Sequence, residues 1–299
     1  MLEKLEMFIV LAKEKHFGRA AEHYGVTQPT LSGAIKQLEG QLGVMLVRRG
    51  SRYLGLTPEG QNVLEWARRI VSDTRTMREE IRASKHGLSG HVRIACIPTA
   101  LTMMPELTTP FREHHPNVTF SVLSRSSIDI LSLLENLEID AGITYLENEP
   151  LGRATTVPLY RERYYLVSSA TKMSVPGSSI TWREASELPL CLLTPEMQYR
   201  RIVNQHLTNA NASAHPTLES DSMIALFSHV RTGNWVSIMP LKLIETFGPW
   251  EDIRMTPIVE PEASHLVGLV ADYREPHTPI IATLLRQAKR LSQLDGEVR

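Results

Sequence analysis

Side chains that form hydrogen bonds are concentrated on one side of a short segment, GVTQPTLSGAIKQLE at residues 25–39. The polar positions are Thr30, Ser32, Lys36 and Gln37, and the apolar positions opposite them are Leu31, Ile35 and Leu38. This spacing predicts one amphipathic helix. Its hydroxyl, amide and ammonium groups are either solvated or made to contact a partner rich in phosphates or polar edges. Residues 1–90 hold 14 Lys and Arg against 10 Asp and Glu, a weak indication of a polyanion.

The sequence contains none of the common nucleotide-binding or catalytic motifs considered next. GxGxxG, GxxxxGK[ST], HExxH and GxSxG are all absent from the sequence, so we expect no enzyme. The two cysteines, Cys96 and Cys191, lack zinc spacing and suit a reducing cytoplasm. No apolar run approaches the roughly 20 residues of a membrane span, and the N-terminus lacks a signal peptide. We therefore expect a cytoplasmic protein with no metal, resident cofactor or membrane partner.

Three neighbouring elements would position the polar helix. A first helix is predicted from apolar residues at helical spacing, namely Leu2, Leu5, Phe8, Ile9 and Ala12. GRAAEHYG predicts a second helix ending at Gly25, and QPTLSGAIKQLEGQLG predicts a third that tolerates Pro29 in its first turn. Two helices joined by about four residues form a helix-turn-helix. VMLVRRGSRYLGLT then alternates as the two strands of a β-hairpin wing would.

Residues 58–87 predict a long helix with two different faces. One face is a seam with the 4, 3, 4, 3, 4 spacing of a heptad repeat, formed by Val63, Ala67, Ile70, Thr74, Met77 and Ile81. Charged residues cover the opposite side. A heptad seam favours pairing with another helix, and a single solvent-exposed helix is the alternative. The segment SKHGLSG at residues 84–90 marks a boundary.

Residues 91–299 alternate strands and helices. The order runs HVRIACI, MMPELTTPFREHHP, VTFSVLS, DILSLLENLEI and DAGITYL, a βαβαβ pattern that predicts a parallel sheet. A second α/β set follows YYLVSSA, and SHLVGLVAD with HTPIIATLLRQAKRL returns to the first. Two lobes joined by two crossings create a cleft, a usual place for a small ligand.

Over essentially its full length the chain resembles the LysR-type transcriptional regulators. The matching stretches are FGRAAEHYGVTQPTLSGAIKQLEGQLGVMLVRR, LTPEG, HVRIACIPT and GNWVSIMP. The resemblance implies an α+β multidomain chain, with a winged helix-turn-helix domain at 1–58 and a dimerising linker helix and hinge at 59–90. An α/β effector domain similar to periplasmic binding proteins would occupy 91–299. Its lobe I would span about 91–161 and 266–299, and its lobe II about 162–265.

The same resemblance implies a function. Such a protein is a sequence-specific DNA-binding regulator, an activator or a repressor, that binds double-stranded DNA at pseudo-palindromic promoter sites. It would act as a homodimer or homotetramer, work with RNA polymerase and respond to a small-molecule effector.

Matched by position, the resemblance assigns the DNA contacts to Gly18, Arg19, Gln28, Pro29, Thr30, Ser32, Gly33, Lys36, Arg48, Arg49 and Arg52. Gln28 and Thr30 would reach base edges from the start of the recognition helix. Arginines of the wing would contact phosphate or the minor groove, and Arg48 or Arg49 could instead pair with a local acid. Gly33 departs from the family, which often has a basic residue there, so readout would depend more on the other positions and on DNA shape.

The matched effector contacts are Thr99, Ala100, Ser127, Thr194, Pro195, Gln198 and Arg200. Hydroxyls and N–H groups at helix starts favour an anionic effector, whose carboxylate an arginine such as Arg200 would hold. The hydroxyl residues could equally be plain helix caps, and Arg200 could form a surface salt bridge. Trp235 stands where many members have glycine and would narrow the cleft.

Two rival classes are separable from this prediction. The DNA-binding stretch is similar to that of peroxide-sensing members, but such a sensor needs a reactive thiol beside a resolving thiol. Cys96 and Cys191 instead lie inside predicted strands, where cysteines are usually inert packing. A freestanding solute-binding protein would need no N-terminal helical unit. DNA binding by the intact chain would distinguish a regulator from a freestanding solute-binding protein.

Overall fold

The structure is a computed structural model that describes residues 1–49, 53–147, 150–173, 175, 177–248 and 251–294. The predicted DNA contact of Arg52 lies outside these residues, and so does the side chain of Arg49. The helix bounds in the N-terminal part and linker are α1 Leu2–Glu14, α2 Phe17–Tyr24, α3 Gln28–Leu42 and α4 Pro58–His86. The wing strands are β1 Val47–Arg49 and β2 Tyr53–Leu56.

The N-terminal helices pack around one small core. Phe8, Leu11, Leu31, Ile35 and Leu38 are fully buried there, which confirms the apolar faces predicted for α1 and α3. Helix α2 ends at a glycine in the left-handed conformation, and a threonine then caps α3, so the chain turns sharply between the two helices. The wing strands pair antiparallel beyond α3. The result is a winged helix-turn-helix.

Helix α4 does not present the predicted seam as one continuous face. Ala67 is fully buried in the N-terminal core, and Val63 packs against that core. The first turns of α4 cover α1, so their apolar residues are used inside the same chain. The apolar residues of α4 that remain exposed are Trp66, Ile70, Met77 and Ile81.

The charged side of α4 is likewise not a solvated face. Arg68 donates to the carboxylate of Glu135 at 2.6 Å and to the amide oxygen of Asn136 at 2.9 Å. Arg75 forms an ion pair of 2.7 Å with the nearly buried carboxylate of Asp140. These contacts attach the helix to the effector domain, a use that helical periodicity alone does not predict.

The effector domain begins with a parallel three-stranded unit, as predicted. Its first elements are β3 Gly90–Cys96, a 3-10 helix Pro98–Met103, α5 Met104–His114, β4 Val118–Ser124, α6 Ser127–Glu135 and β5 Ala141–Tyr145. β3 lies between β4 and β5 and is parallel to both. The full sheet order is β4-β3-β5-β12-β6-β11-β7, with β10 also paired to β6.

The remaining elements form the second α/β set and the return to the first. They are β6 Ala154–Ser169, β7 Ile180–Thr181, α7 Trp182–Ser186, β8 Cys191–Leu193, α8 Gln198–Asn209, β9 Leu218–Ser220, α9 Met223–Thr232, β10 Ser237–Pro240, α10 Leu241–Phe247, β11 Ile253–Val259, β12 Ser264–Asp272 and α11 Pro279–Leu294. Strands β8 and β9 form a separate parallel pair.

The long strand β6 joins the two sets. It pairs with β12 as far as Arg163, and from Tyr164 onward it pairs with β10 and β11. Lobe I is therefore described below as the part around β3, β4 and β5, and lobe II as the part around β8, β9 and β10. The cleft between the two lobes lies where β6 changes its pairing partners.

Candidate DNA-binding surface and effector cleft

The start of α3 presents an exposed polar surface. Gln28, Pro29, Thr30 and Lys36 are all exposed, whereas Ser32 and Gly33 are half-buried. The hydroxyl oxygen of Thr27 accepts from the backbone N–H of Thr30 at 3.4 Å, which satisfies one donor of the first turn. The side chains that could reach a major groove therefore lie at the N-terminal end of the second helix of the helix-turn-helix.

The start of α2 lies beside that surface. A Cβ on Gly18 would be 3.7 Å from the amide oxygen of Gln28 and 3.1 Å from the ring of His16, so glycine keeps this approach close. The ring of His16 accepts from the backbone N–H groups of Gly18 and Arg19 and caps α2. Arg19 is exposed and donates to the carbonyl oxygen of Glu14 at 2.7 Å. The sequence prediction did not include the capping role of His16, since histidine is an uncommon N-cap.

The wing is fixed to α3 by a buried glutamate. The carboxylate of Glu39 accepts from the backbone N–H groups of Leu46 at 2.9 Å and Val47 at 3.3 Å. Arg48, the next residue in β1, is exposed. A glutamate on the predicted apolar side of α3 was the available signal for this contact. Because Glu39 binds the backbone directly before Arg48, this contact fixes the position of Arg48 relative to α3.

Gly33 occupies open space. Among the described residues, no atom outside its own helix lies within 4 Å of the position that a Cβ would take. Packing therefore does not require the glycine, and the methyl group of an alanine would meet no clash.

The lobe I positions predicted for the effector are buried. Thr99, Ala100 and Ser127 are each at most 1% exposed. The hydroxyl of Thr99 lies 3.4 Å from that of Tyr145, and the hydroxyl of Ser127 has no hydrogen-bond partner among the described residues. Ser126, not Ser127, caps α6 by accepting from the N–H of Asp129. The capping alternative for Ser127 is therefore wrong by one residue.

Two of the predicted lobe II residues already have partners within the protein, since Gln198 forms a hydrogen bond to a residue next to lobe I and Arg200 forms an ion pair. Gln198 is buried at the start of α8, and its amide donates to the carbonyl oxygen of Glu147, next to lobe I, at 3.3 Å. Arg200 is buried and forms a 2.7 Å ion pair with Glu219, while it also donates to the carbonyl of Leu193. The predicted salt bridge is present, but the Arg200 side chain is buried and not at the surface. Its contact with an effector stays a prediction.

The other predicted positions take no part in these contacts. Thr194 donates its backbone N–H to the carbonyl of Ser220, and Pro195 is exposed. The indole of Trp235 donates to the hydroxyl of Thr217 at 3.0 Å and packs edge-on against His229. The predicted narrowing of the cleft by Trp235 stays a prediction.

Two family descriptions match the chain in tandem. Residues 2–61 match the bacterial regulatory helix-turn-helix protein of the lysR family, and residues 85–293 match the LysR substrate binding domain. The chain belongs to the LysR family. It is a LysR-type transcriptional regulator, with a DNA-binding domain followed by an effector-binding domain.

Individual members of the LysR family align with nearly the whole chain. The hydrogen peroxide-inducible genes activator of Haemophilus influenzae is 25% identical over 99% of both chains. OxyR of Escherichia coli is 25% identical over 99% of this chain and 96% of its own. Full-length OxyR of Pseudomonas aeruginosa has a TM-score of 0.72 at 25% identity, with 97% of each chain covered. CbnR, at 21% identity and a TM-score of 0.61 over 98% and 99% of the two chains, shares the fold.

This LysR regulator has a buried carboxyl group at the boundary of its lobes. Glu162 lies on β6 just before the strand changes partners, and it is 1% exposed. Its carboxylate accepts a short hydrogen bond from the hydroxyl of Tyr145. Burial raises the pKa of Glu162 to about 7, although hydroxyls of Tyr145, Thr99 and Tyr160 oppose this shift. The sequence pattern did not identify Glu162, because it lies in a run of three charged residues whose burial depends on pairing with β12.

Both thiols of this LysR regulator are buried. Cys96 and Cys191 are fully covered, and their sulfur atoms contact the carbonyl oxygens of Ile97 and Leu226. Burial raises the pKa of the Cys96 thiol far above its ordinary value and that of Cys191 to about 11. The thiolate, which is the reactive form, is therefore disfavoured at both positions.

The described part of the chain contains no helix long and apolar enough to cross a membrane.

Proposed function

We propose that this LysR-type regulator binds pseudo-palindromic promoter DNA sequence-specifically as a homodimer or homotetramer, and that a small molecule bound between its lobes modulates this binding. Under this proposal it acts in the cytoplasm and contacts RNA polymerase where it activates. The supporting observation is the exposed group Gln28, Pro29, Thr30 and Lys36 at the start of α3, beside the exposed Arg48 of the wing. CbnR, which shares the fold, has been solved with its target DNA.

Selection of sites from a random duplex pool by the intact protein tests this function. We expect enrichment of a two-fold symmetric site. Gln28→Ala should relax the base preference at one position in each half-site and reduce discrimination there by roughly 1–3 kcal/mol. Lys36→Ala should weaken binding evenly across sequences and lower the salt dependence by about one phosphate contact.

The matched control is Gln41→Ala, which changes the same residue type at the far, exposed end of α3. It should leave both selection and salt dependence unchanged. Salt-sensitive binding without any enriched site would contradict sequence-specific recognition and leave only a generic phosphate contact.

Peroxide sensing through a thiol pair is the alternative that the names of the relatives raise. The burial of Cys96 and Cys191 and the raised pKa of each thiol argue against it. We expect hydrogen peroxide to leave the affinity for the selected DNA site unchanged, and the variant with both cysteines changed to alanine to behave as the wild type does. A peroxide-dependent change in affinity that disappears in that variant would reverse this conclusion.

A further inference from the structure

Four tyrosines belong to the buried region of Glu162. The hydroxyl of Tyr145 donates to its carboxylate, Tyr160 lines the same groove as Glu162, and the ring centroids of Tyr164 and Tyr199 are 5.6 Å apart. Burial, and after it the negative charge of Glu162, raises the pKa of each of these tyrosines. These four tyrosines and Glu162 are called the Glu162 cluster below. They come from β5, β6 and α8, so both lobes contribute to it.

Several polar atoms of this region are buried without a partner. Among the described residues, no hydrogen-bond donor meets Oε2 of Glu162, Oε1 of Gln198 or the hydroxyl of Tyr199. All three side chains are at least 96% buried. A buried polar atom that forms no hydrogen bond is costly, and each such atom in a folded protein requires a physical reason. The unpaired oxygens of Glu162 and Gln198 can each accept a hydrogen bond from an incoming donor.

No positive charge contacts the carboxyl group within the described part of the chain. Within the described ranges no lysine or arginine forms an ion pair with Glu162, although Arg161, Arg163 and Lys242 line the groove beside it. Arg161 pairs with Glu147 at 3.5 Å, and Lys242 pairs with Glu106 at 3.0 Å. A carboxylate buried without a cation is destabilised, and an incoming cation would remove that cost.

The histidines beside the Glu162 cluster supply no charge near neutral pH. His265 lies 2.8 Å from the hydroxyl of Tyr164, and His206 stacks on Trp182 with ring centroids 4.7 Å apart. Burial lowers the pKa of His206 to about 4, and burial lowers that of His265 as well. Both rings are therefore neutral and add further aromatic surface.

We propose that the Glu162 cluster recognises the effector of this regulator and that the effector carries a protonated amine. An ammonium group supplies three donors and one positive charge, which complement the unpaired acceptors and the buried carboxylate. An ammonium is also attracted to the face of a tyrosine ring by cation–π interaction, as that of Lys242 is to Tyr160. This inference rests on the proposed function and replaces an anionic effector with a cationic one.

The cluster can be reached from the surface. Tyr160 and Glu162 line an open groove of about 430 Å³ between β6 and α10, which Glu106 and Glu245 also border. In that groove the ammonium of Lys242 already lies 5.0 Å from the ring centre of Tyr160. The protein thus places one ammonium of its own on a tyrosine of this cluster.

Thermal melting of the full-length protein with isosteric pairs of opposite charge tests the inference. The pairs are benzylammonium with benzoate, butylammonium with butyrate, and 1,4-diammoniobutane with succinate. We expect at least one ammonium to raise the melting temperature by about 2–4 °C at about ten times its Kd, and its carboxylate counterpart to have no effect. Glu162→Gln should abolish the rise and Tyr199→Phe should reduce it. Glu187→Gln, which removes an exposed carboxylate of lobe II, should retain it in full.

A rise with the carboxylates alone, an equal rise in Glu162→Gln, or no rise with any member of the panel would overturn the inference. DNA binding of each protein is measured in parallel with the selected site. If the wild type binds DNA but no ammonium stabilises it, only the inference fails. If the wild type binds no DNA, the proposed function itself fails.

Discussion

A single buried carboxyl group gives this protein a measurable dependence on pH. Glu162 has a pKa raised to about 7 by burial, from an ordinary value of 4.5. Between these values the folded chain holds a proton that the unfolded chain has released, so stability falls as pH rises through this window. A shift of this size corresponds to roughly 3 kcal/mol at most. Denaturant titrations between pH 4.5 and 7 should show that loss in the wild type.

The comparison with Glu162→Gln isolates this contribution. The groups that face Glu162 are the hydroxyls of Thr99 and the four cluster tyrosines and the thiol of Cys96, all neutral across the window. His206 and His265 have lowered pKa values and change stability in the opposite direction, since their unfolded forms bind protons more readily. Both histidines remain in the variant. An identical pH profile for the two proteins would therefore contradict a neutral Glu162.

Gly33 gives a second prediction at the level of one residue. Alanine is favoured over glycine inside a helix by about 1 kcal/mol, and the space around this position is open. Gly33→Ala should raise the free energy of unfolding by about 1 kcal/mol, measured by denaturant titration. Gly43→Ala is the matched control, because Gly43 ends the same helix with a φ of +70°. That substitution should destabilise, since a Cβ is strained in the left-handed region. If both substitutions had the same sign, the effect could not come from helix propensity.

The two candidate sites differed in how far single residues could be predicted. The exposure of the polar residues at the start of α3 follows from helical spacing, because it is a local property of one amphipathic helix. Their assignment to DNA rests on the family resemblance and stays a prediction. The effector cleft depends on long-range pairing. Arg200 finds Glu219 only when α8 packs beside β9, and Glu162 is buried only because β6 runs on between β12 and β11. Sequence spacing contains neither contact.

At the scale of elements, α4 carries the next prediction. Ile70 and Ile81 are 42% and 54% exposed, on the same side of the helix as Trp66 and Met77. An exposed apolar row of this length on one helix is typical of a surface that pairs. Replacing Ile70 and Ile81 with glutamate should lower the mass in solution from that of a dimer or tetramer to that of a smaller species, measured by light scattering.

The control for this pair is Ile224→Glu, at an isoleucine of α9 that is 68% exposed. It adds the same charge at a comparable apolar position outside α4 and should leave the mass unchanged. Equal masses for the wild type and the α4 variant would rule out pairing through this face.

Elements with strong local periodicity were predicted well, and those that depend on neighbours were not. The bounds of α3, β4 and β12 agree with their sequence patterns within one residue. The first ten residues of β6 were missed, because they contain Pro158 and end in three consecutive charged residues, and only pairing with β12 shows which face is buried. β11 also contains a proline and was missed, since its side chains pack only after it pairs with β6.

At the scale of the whole molecule, α6 connects the effector cleft to the DNA-binding half. Its first turn holds Ser127, a predicted effector contact, and its end meets the other domains. Glu135 and Asn136 bind Arg68, Glu138 binds Lys13 of α1 at 2.7 Å, and Asp140 binds Arg75. One segment of lobe I, residues 135–140, thus holds both α4 and the winged domain. A shift of α6 in the cleft would change these contacts directly.

The joint replacement of Arg68 and Arg75 by alanine should therefore loosen this attachment. Asp140 would keep the backbone N–H of Arg93 at 2.7 Å but lose its closest cation. An acceptor left short of a partner costs roughly 1–2 kcal/mol. This cost corresponds to roughly five- to thirty-fold faster exchange of the backbone amides of residues 135–140 and the middle of α4. Mass-resolved hydrogen exchange on the intact protein measures it. The control is Arg69→Ala, whose guanidinium lies over the ring of Trp66 on the same helix. Exchange as slow in the double variant as in this control would mean that the ion pairs do not hold the domains together. In that case a signal from the cleft would have to reach the DNA-binding domain by another route.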